Sequence, residues 1–166
     1  MEITASSYVD VRERAEQLGC AIPTMIAILP RNFATAAKKD ELVHESNAMT
    51  VRTLLRNAGI EETRVEVDGE RFPCIQENDF TWAGPIIFCT SAALSDNPAL
   101  LSVSLNIISN YLTEFFRGVT GQRRVILDVV VEQTRAKKCV RLHYEGLPDQ
   151  VEELAARALD SVRNDK

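Results

Sequence analysis

Apolar residues in this chain form either stripes at helical spacing or short unbroken runs, and their succession predicts the order of elements. Tyr8, Val11, Ala15 and Leu18 share a helical face, Ser7 and Asp10 approximate a capping box, and Gly19 supplies the stop. Thr24 to Leu29 lacks polar alternation and ends at Pro30, as a strand covered on both faces does. The polar stretch Arg31 to Asn47 predicts a long loop with at most a helical turn. Helical spacing returns with Val51, Leu54, Leu55 and Ala58, and Gly59 ends it.

Asp68-Gly69 favours a type I′ turn, so Thr63 to Val67 and Glu70 to Ile75 are expected to pair as a hairpin. Gly84 to Thr90 reads as a second buried strand. Asn97 as cap and Pro98 at the first position then open a long helix. Val125 to Gln133 and Lys138 to Glu145 form a second hairpin around Thr134 to Lys137. Pro148 begins a helix with Val151, Leu154, Ala155, Ala158, Leu159 and Val162 on one face. The order α-β-α-β-β-β-α-β-β-α predicts an α/β fold, a mixed sheet with two hairpins layered with about four helices, in a single domain spanning residues 1–166.

Composition narrows the classes. With 45% hydrophobic and 26% charged residues the chain is an ordinary globular one. It shows no basic, apolar leader, and no apolar run nears the roughly 20 residues that span a bilayer, so a cytoplasmic protein without a membrane partner is expected. Cys20, Cys74, Cys89 and Cys139 lie far apart beside apolar stretches and read as buried thiols. Neither a glycine-rich phosphate loop nor a paired metal motif is present, and no cofactor or metal is expected; Glu41-x-x-His44 has ligand spacing but lacks a second motif. The net charge of -5 opposes general nucleic-acid binding. The region from Arg117 to Arg141 is nevertheless locally basic, and its turn, Arg135, Lys137 and Lys138, has no interleaved aromatic to stack on bases.

Charge is also unevenly spread. Between Phe80 and Thr113 the only charged side chain is Asp96. Core burial accounts for that in the strand. In the helix, Ser102, Asn106, Ser109 and Thr113 lie opposite the apolar stripe, where an exposed face normally carries charge. Small uncharged residues there suit contact with another surface, supplied by the same chain or by a homo-oligomer or protein partner.

Two constellations carry candidate chemistry. If the strands ending at Leu29 and Cys89 run parallel, Arg31 would hold an anion, Asn32, Thr90 and Ser91 would supply hydrogen bonds, and Cys89 would be a nucleophile. The competing reading is two ordinary loop starts and a buried cysteine. In the second hairpin, apolar matching sets Val131 against Val140, Val129 against Leu142 and Leu127 against Tyr144, which puts Asp128 opposite His143. That pair reads as an oriented imidazole or as a cross-strand ion pair; a two-residue slip would oppose Asp128 to Arg141 or Glu145. The function expected is a non-catalytic protein-interaction or regulatory domain, self-associating or one subunit of an assembly, acting through the uncharged face of the helix beginning at Pro98. The alternative is a small hydrolase or transferase acting on an anionic substrate at the carboxyl ends of the central strands.

Overall fold

Five strands build one mixed sheet: β1 (Glu2–Tyr8), β2 (Ile26–Leu29), β3 (Thr81–Cys89), β4 (Arg124–Glu132) and β5 (Cys139–Gly146), in the order β1-β5-β4-β3-β2. The computed structural model describes residues 2–76, 81–119, 121, 123–134 and 138–163. Among these strands only β3 and β4 pair in parallel. A parallel pair needs a crossover, and α3 (Ser91–Asp96) and α4 (Leu100–Phe115) provide it.

Strand periodicity sorts the side chains into two cores. Ile26, Ile28, Ile87, Val125, Leu127, Val129, Leu142 and Tyr144 point to one face, where they meet α2 (Ala48–Asn57), α4 and α5 (Glu153–Arg163). Ala27, Leu29, Phe88, Val130 and Cys139 point to the other, where α1 (Val11–Leu18) and the loop residues Phe33, Ala36 and Leu42 cover them. A helix contributes through one stripe, as Leu101, Leu105, Ile108 and Leu112 show on α4. The mixed α/β class and the second hairpin agree with the sequence expectation, down to Asp128 opposite His143.

Three local expectations differ. The chain opens with β1, and the first helix starts at Val11 with Asp10 as its cap, accepting from Glu13 N at 3.1 Å. β1 escapes periodicity because its residues are exposed except for the half-buried Ile3 and Tyr8; its backbone ladder with β5, rather than burial, holds it. Asp68-Gly69 does turn, with Gly69 at φ 85° and Glu70 N bonded to Val67 O at 2.8 Å, but the flanking segments form no hairpin. Their backbone groups go elsewhere: Thr63 N to Ile26 O at 2.7 Å on one side, Ile75 N to His44 O at 2.9 Å on the other. A turn dipeptide fixes a reversal, not the partners of its arms. Finally, Asn97 and Pro98 separate α3 from α4 instead of opening the long helix, which begins at Leu100.

The β3 to β4 register shifts between Ala83 and Ile86, and Gly84 sits at this irregularity. A Cβ on Gly84 would lie 2.6 Å from Trp82 Cζ3 and 2.7 Å from Leu127 Cδ1, both buried. Gly84→Ala is expected to destabilise the fold by about 1–3 kcal/mol through overpacking, measured by urea denaturation.

Candidate functional site

β2 and β3 are antiparallel, pairing Ile26 with Cys89 and Leu29 with Ile86. Arg31 and Asn32 therefore follow one end of this pair and Thr90 and Ser91 the other, so the four do not converge. This corrects the premise of parallel strands.

At the Thr90 end the chain supplies its own anion. Thr90 Oγ1 accepts from Ala93 N at 3.1 Å and donates to Thr24 O at 2.8 Å, capping α3 and tying β3 to the segment before β2. Ser91 donates through N and Oγ to Glu132 Oε1, at 3.1 and 2.9 Å, while Arg12 makes a two-pronged contact with the same carboxylate at 2.7 and 3.0 Å. Burial tends to raise the buried Glu132 carboxyl, but these donors outweigh it and hold it below its usual range. Cys89 is fully enclosed in the core under α2, α4 and α5, and desolvation pushes its thiol up to about 12. An enclosed neutral thiol offers no nucleophile. Native-state titration with a thiol reagent is expected to modify Cys74, half-buried, well before Cys20, Cys89 and Cys139, which are buried.

Asn32 is likewise structural. Its amide donates to Glu41 O at 2.9 Å and its Oδ1 accepts from Val43 N at 3.0 Å, closing the loop after β2. Arg31, at the end of β2, shares a hollow of about 330 Å³ with Glu45, Ala83, Gly84, Ile86, Ile126, Asp128, Arg141 and His143. Three of the residues singled out from sequence, Arg31, Asp128 and His143, thus come together, while Asn32, Cys89, Thr90 and Ser91 do not join them.

In this hollow Asp128 Oδ1 lies 2.5 Å from His143 Nδ1, and Asp128 Oδ2 accepts from Arg141 at 2.5 Å. His143 Nε2 lies 3.0 Å from Glu145 Oε1, and Glu145 also accepts from Arg124. Burial works against a charged His143, but hydrogen bonds to Glu145 and Asp128 and the charges of both carboxylates outweigh it and raise its pKa. With a carboxylate at each ring nitrogen, the imidazolium is the form that donates to both. Arg31 is paired with Glu45 at 3.3 Å. The cation side chains are accessible, 50% for Arg31, 38% for Arg141 and 32% for His143, whereas those of Glu45 and Asp128 are recessed at 13% and 10%.

On α4, Ser102, Asn106 and Thr113 are exposed, while Ser109 is buried and donates to Pro148 O at 3.2 Å. Part of the uncharged stripe is thus covered by the chain itself. Glu41 and His44 do not act together: Glu41 Oε2 accepts from Ala37 N at 2.9 Å, and His44 Nε2 lies 3.2 Å from Glu66. Among the described residues no group of three or more His, Cys, Asp or Glu is placed to hold a metal ion. Arg135 and Lys137 of the basic turn lie outside the described residues, and Lys138 is exposed. No described helix is long and apolar enough to cross a membrane.

Sequence reasoning missed a second charged cluster. Arg52, on α2, donates to Glu62 at 2.5 and 2.8 Å and to Glu66 at 2.9 and 3.2 Å, and Glu66 in turn meets His44. Arg52, Glu66 and His44 are all buried. The signal was present in the helical wheel, which sets Arg52 beside Ala48, Val51 and Leu55 on the buried face of α2. No protein-family model, curated protein or solved structure matches the chain.

Proposed function

We propose that the chain is a protein-interaction or regulatory domain that self-associates, or joins a cytoplasmic assembly, through the outward face of α4. The observation that supports this reading is an exposed helix surface of Ser102, Val103, Asn106, Asn110 and Thr113 without a charge among them, Val103 being 48% exposed. Charge depletion of this kind is a mark of interface cores. The hydroxyls suit burial as well: Ser102 donates to Ala99 O at 3.3 Å and Thr113 to Ser109 O at 3.0 Å, so covering either leaves no stranded donor. In sedimentation equilibrium the wild-type chain is expected to associate at micromolar concentration and Asn106→Lys to weaken association at least tenfold. A wild-type chain that remains monomeric there would overturn the self-association reading.

A second reading, a small hydrolase or transferase for anionic substrates, draws support from Arg31, Asp128 and His143 sharing one hollow. Proton transfer through His143 would require Glu145 to release Nε2. Hydrolysis of p-nitrophenyl acetate or phosphate that falls about a hundredfold or more in His143→Gln would favour this reading, and equal rates in both proteins would remove it.

A further inference from the structure

We infer that the partner of the α4 face is a second copy of this chain, docked antiparallel across a twofold axis at Ile107, with Glu114 of each copy against the first turn of the other's α4. The inference rests on the reading of α4 as an interaction surface and names what covers it.

α4 carries two series of residues at helical spacing. Leu101, Leu105, Ile108 and Leu112 are buried against the sheet and account for the core. Leu100, Val103, Ile107, Asn110 and Glu114 form the second, stepping by three and four residues, the repeat of a seam between two packed helices. Leu100 and Ile107 are half-buried, Val103 is 48% exposed, and Asn110 and Glu114 are exposed. The chain thus leaves this series partly uncovered although its first three members are apolar. Helices meeting through such a seam cross at a shallow angle of about 20°, so contact runs along most of their length. α4 also packs beside both α2 and α5, so a layer of helices faces the partner.

The two ends of the seam select the partner. Ala99 caps α4 without a side-chain hydrogen bond, and the first turn holds no acidic residue. Asp96, the nearest in sequence, ends α3 beyond the Asn97-Pro98 break. The last turn holds no basic residue but contains Glu114, a carboxylate where the helix dipole disfavours one. Each end is mismatched in a lone helix and matched in an antiparallel pair. Leu100 and Glu114 both lie seven residues from Ile107, so an axis there brings each Glu114 beside the other copy's first turn, about 10 Å from the axis. Its contact with Arg117, at 2.6 Å between mostly exposed side chains, leaves the carboxylate open to further donors. Nearer the axis Val103, Ile107 and Asn110 are uncharged, so identical copies meet there without repulsion. The Asn106 and Asn110 amides, each both donor and acceptor, can pair with their counterparts.

The test is sedimentation equilibrium of the intact chain up to about 100 μM, joined to disulfide trapping in a Cys74→Ser background, which removes the one half-buried thiol. The wild-type chain is expected to form a dimer. Ile107→Cys, at the axis, is expected to cross-link to itself under mild oxidation. Val103→Cys is expected to stay reduced, because the antiparallel arrangement sets its two copies about 12 Å apart along the helices. Glu114→Lys, at an exposed position, is expected to weaken the dimer about fivefold or more, two such contacts being lost per dimer, while leaving the thermal midpoint of the dilute chain near wild type. A dimer in which Val103→Cys cross-links as readily as Ile107→Cys, a dimer as tight in Glu114→Lys as in wild type, or an assembly larger than two would each overturn the inference. If Asn106→Lys still weakens that assembly, the α4 reading stands without it. A monomer throughout, whatever other molecule the face then binds, overturns the inference and the self-association reading together.

Discussion

Arg52→Met is expected to lower the free energy of unfolding by about 3–5 kcal/mol, because it strips the recessed Glu62 and Glu66 carboxylates of the guanidinium they share, leaving Glu66 to His44 and Glu62 to Arg64 at 3.9 Å. Methionine keeps much of the side-chain volume, so the loss reports uncompensated charge more than a cavity. The same reasoning gives a contrast. Arg117→Met removes an ion pair of 2.6 Å whose members are mostly exposed, and it should change stability by no more than about 0.5 kcal/mol. Urea denaturation of the two variants beside wild type is the measurement. Similar small losses in both would mean that the Arg52 cluster is solvated in solution.

The second large effect is acid sensitivity. Burial tends to raise the Glu66 carboxyl, but hydrogen bonds from His44 and Arg52 and their charges bring it down to about 2 from an ordinary 4.5. Its folded value lies below its unfolded one, so as pH falls the unfolded chain takes up the proton first. The stabilisation is therefore complete above about pH 5 and is lost on descent toward pH 2, a change of about 3 kcal/mol. Glu132, also held low, acts in the same direction. His143 acts oppositely: its raised pKa stabilises the fold below the unfolded imidazole's value, and that contribution disappears as pH rises through the folded one. Glu66→Gln should flatten the fall in stability between pH 5 and pH 3, measured by urea denaturation at each pH, even though it lowers stability at pH 7. An equally steep fall would assign the acid sensitivity to other carboxylates.

What the sequence made legible follows the reach of each signal. Which residues of the second hairpin share a face could be read because Val129, Val131, Val140 and Leu142 form one apolar set that a one-residue slip would break. A two-residue slip keeps that set, so the pairing of Asp128 with His143 stayed one of several until the strand register placed it. Arg31 was legible as an anion-binding candidate, but its separation from Thr90 and Ser91 was not, because that depends on β2 running antiparallel to β3, which no local pattern in a four-residue apolar strand encodes. Glu132 was hidden for a related reason. It follows Val129 to Val131 and looks like the polar end of a strand, yet its partners Arg12 and Ser91 are 120 and 41 residues away. Ion pairs at such separations leave no trace in a one-dimensional pattern, whereas alternation and turns do.

The N-terminal strand has a consequence for how the native state opens. β1 pairs with β5 along one edge over its whole length, and most of its side chains contribute nothing to either core. Its amides are therefore guarded by a single ladder and little buried surface, and they should exchange with solvent through a local detachment that leaves the other four strands intact. Amide exchange followed by NMR is expected to show low protection from Ile3 to Ser7 and protection near the global limit in β3 and β4, which are flanked by strands on both sides. Sheet membership alone thus does not confer cooperativity on β1, and the protein can expose a free edge of β5 without unfolding.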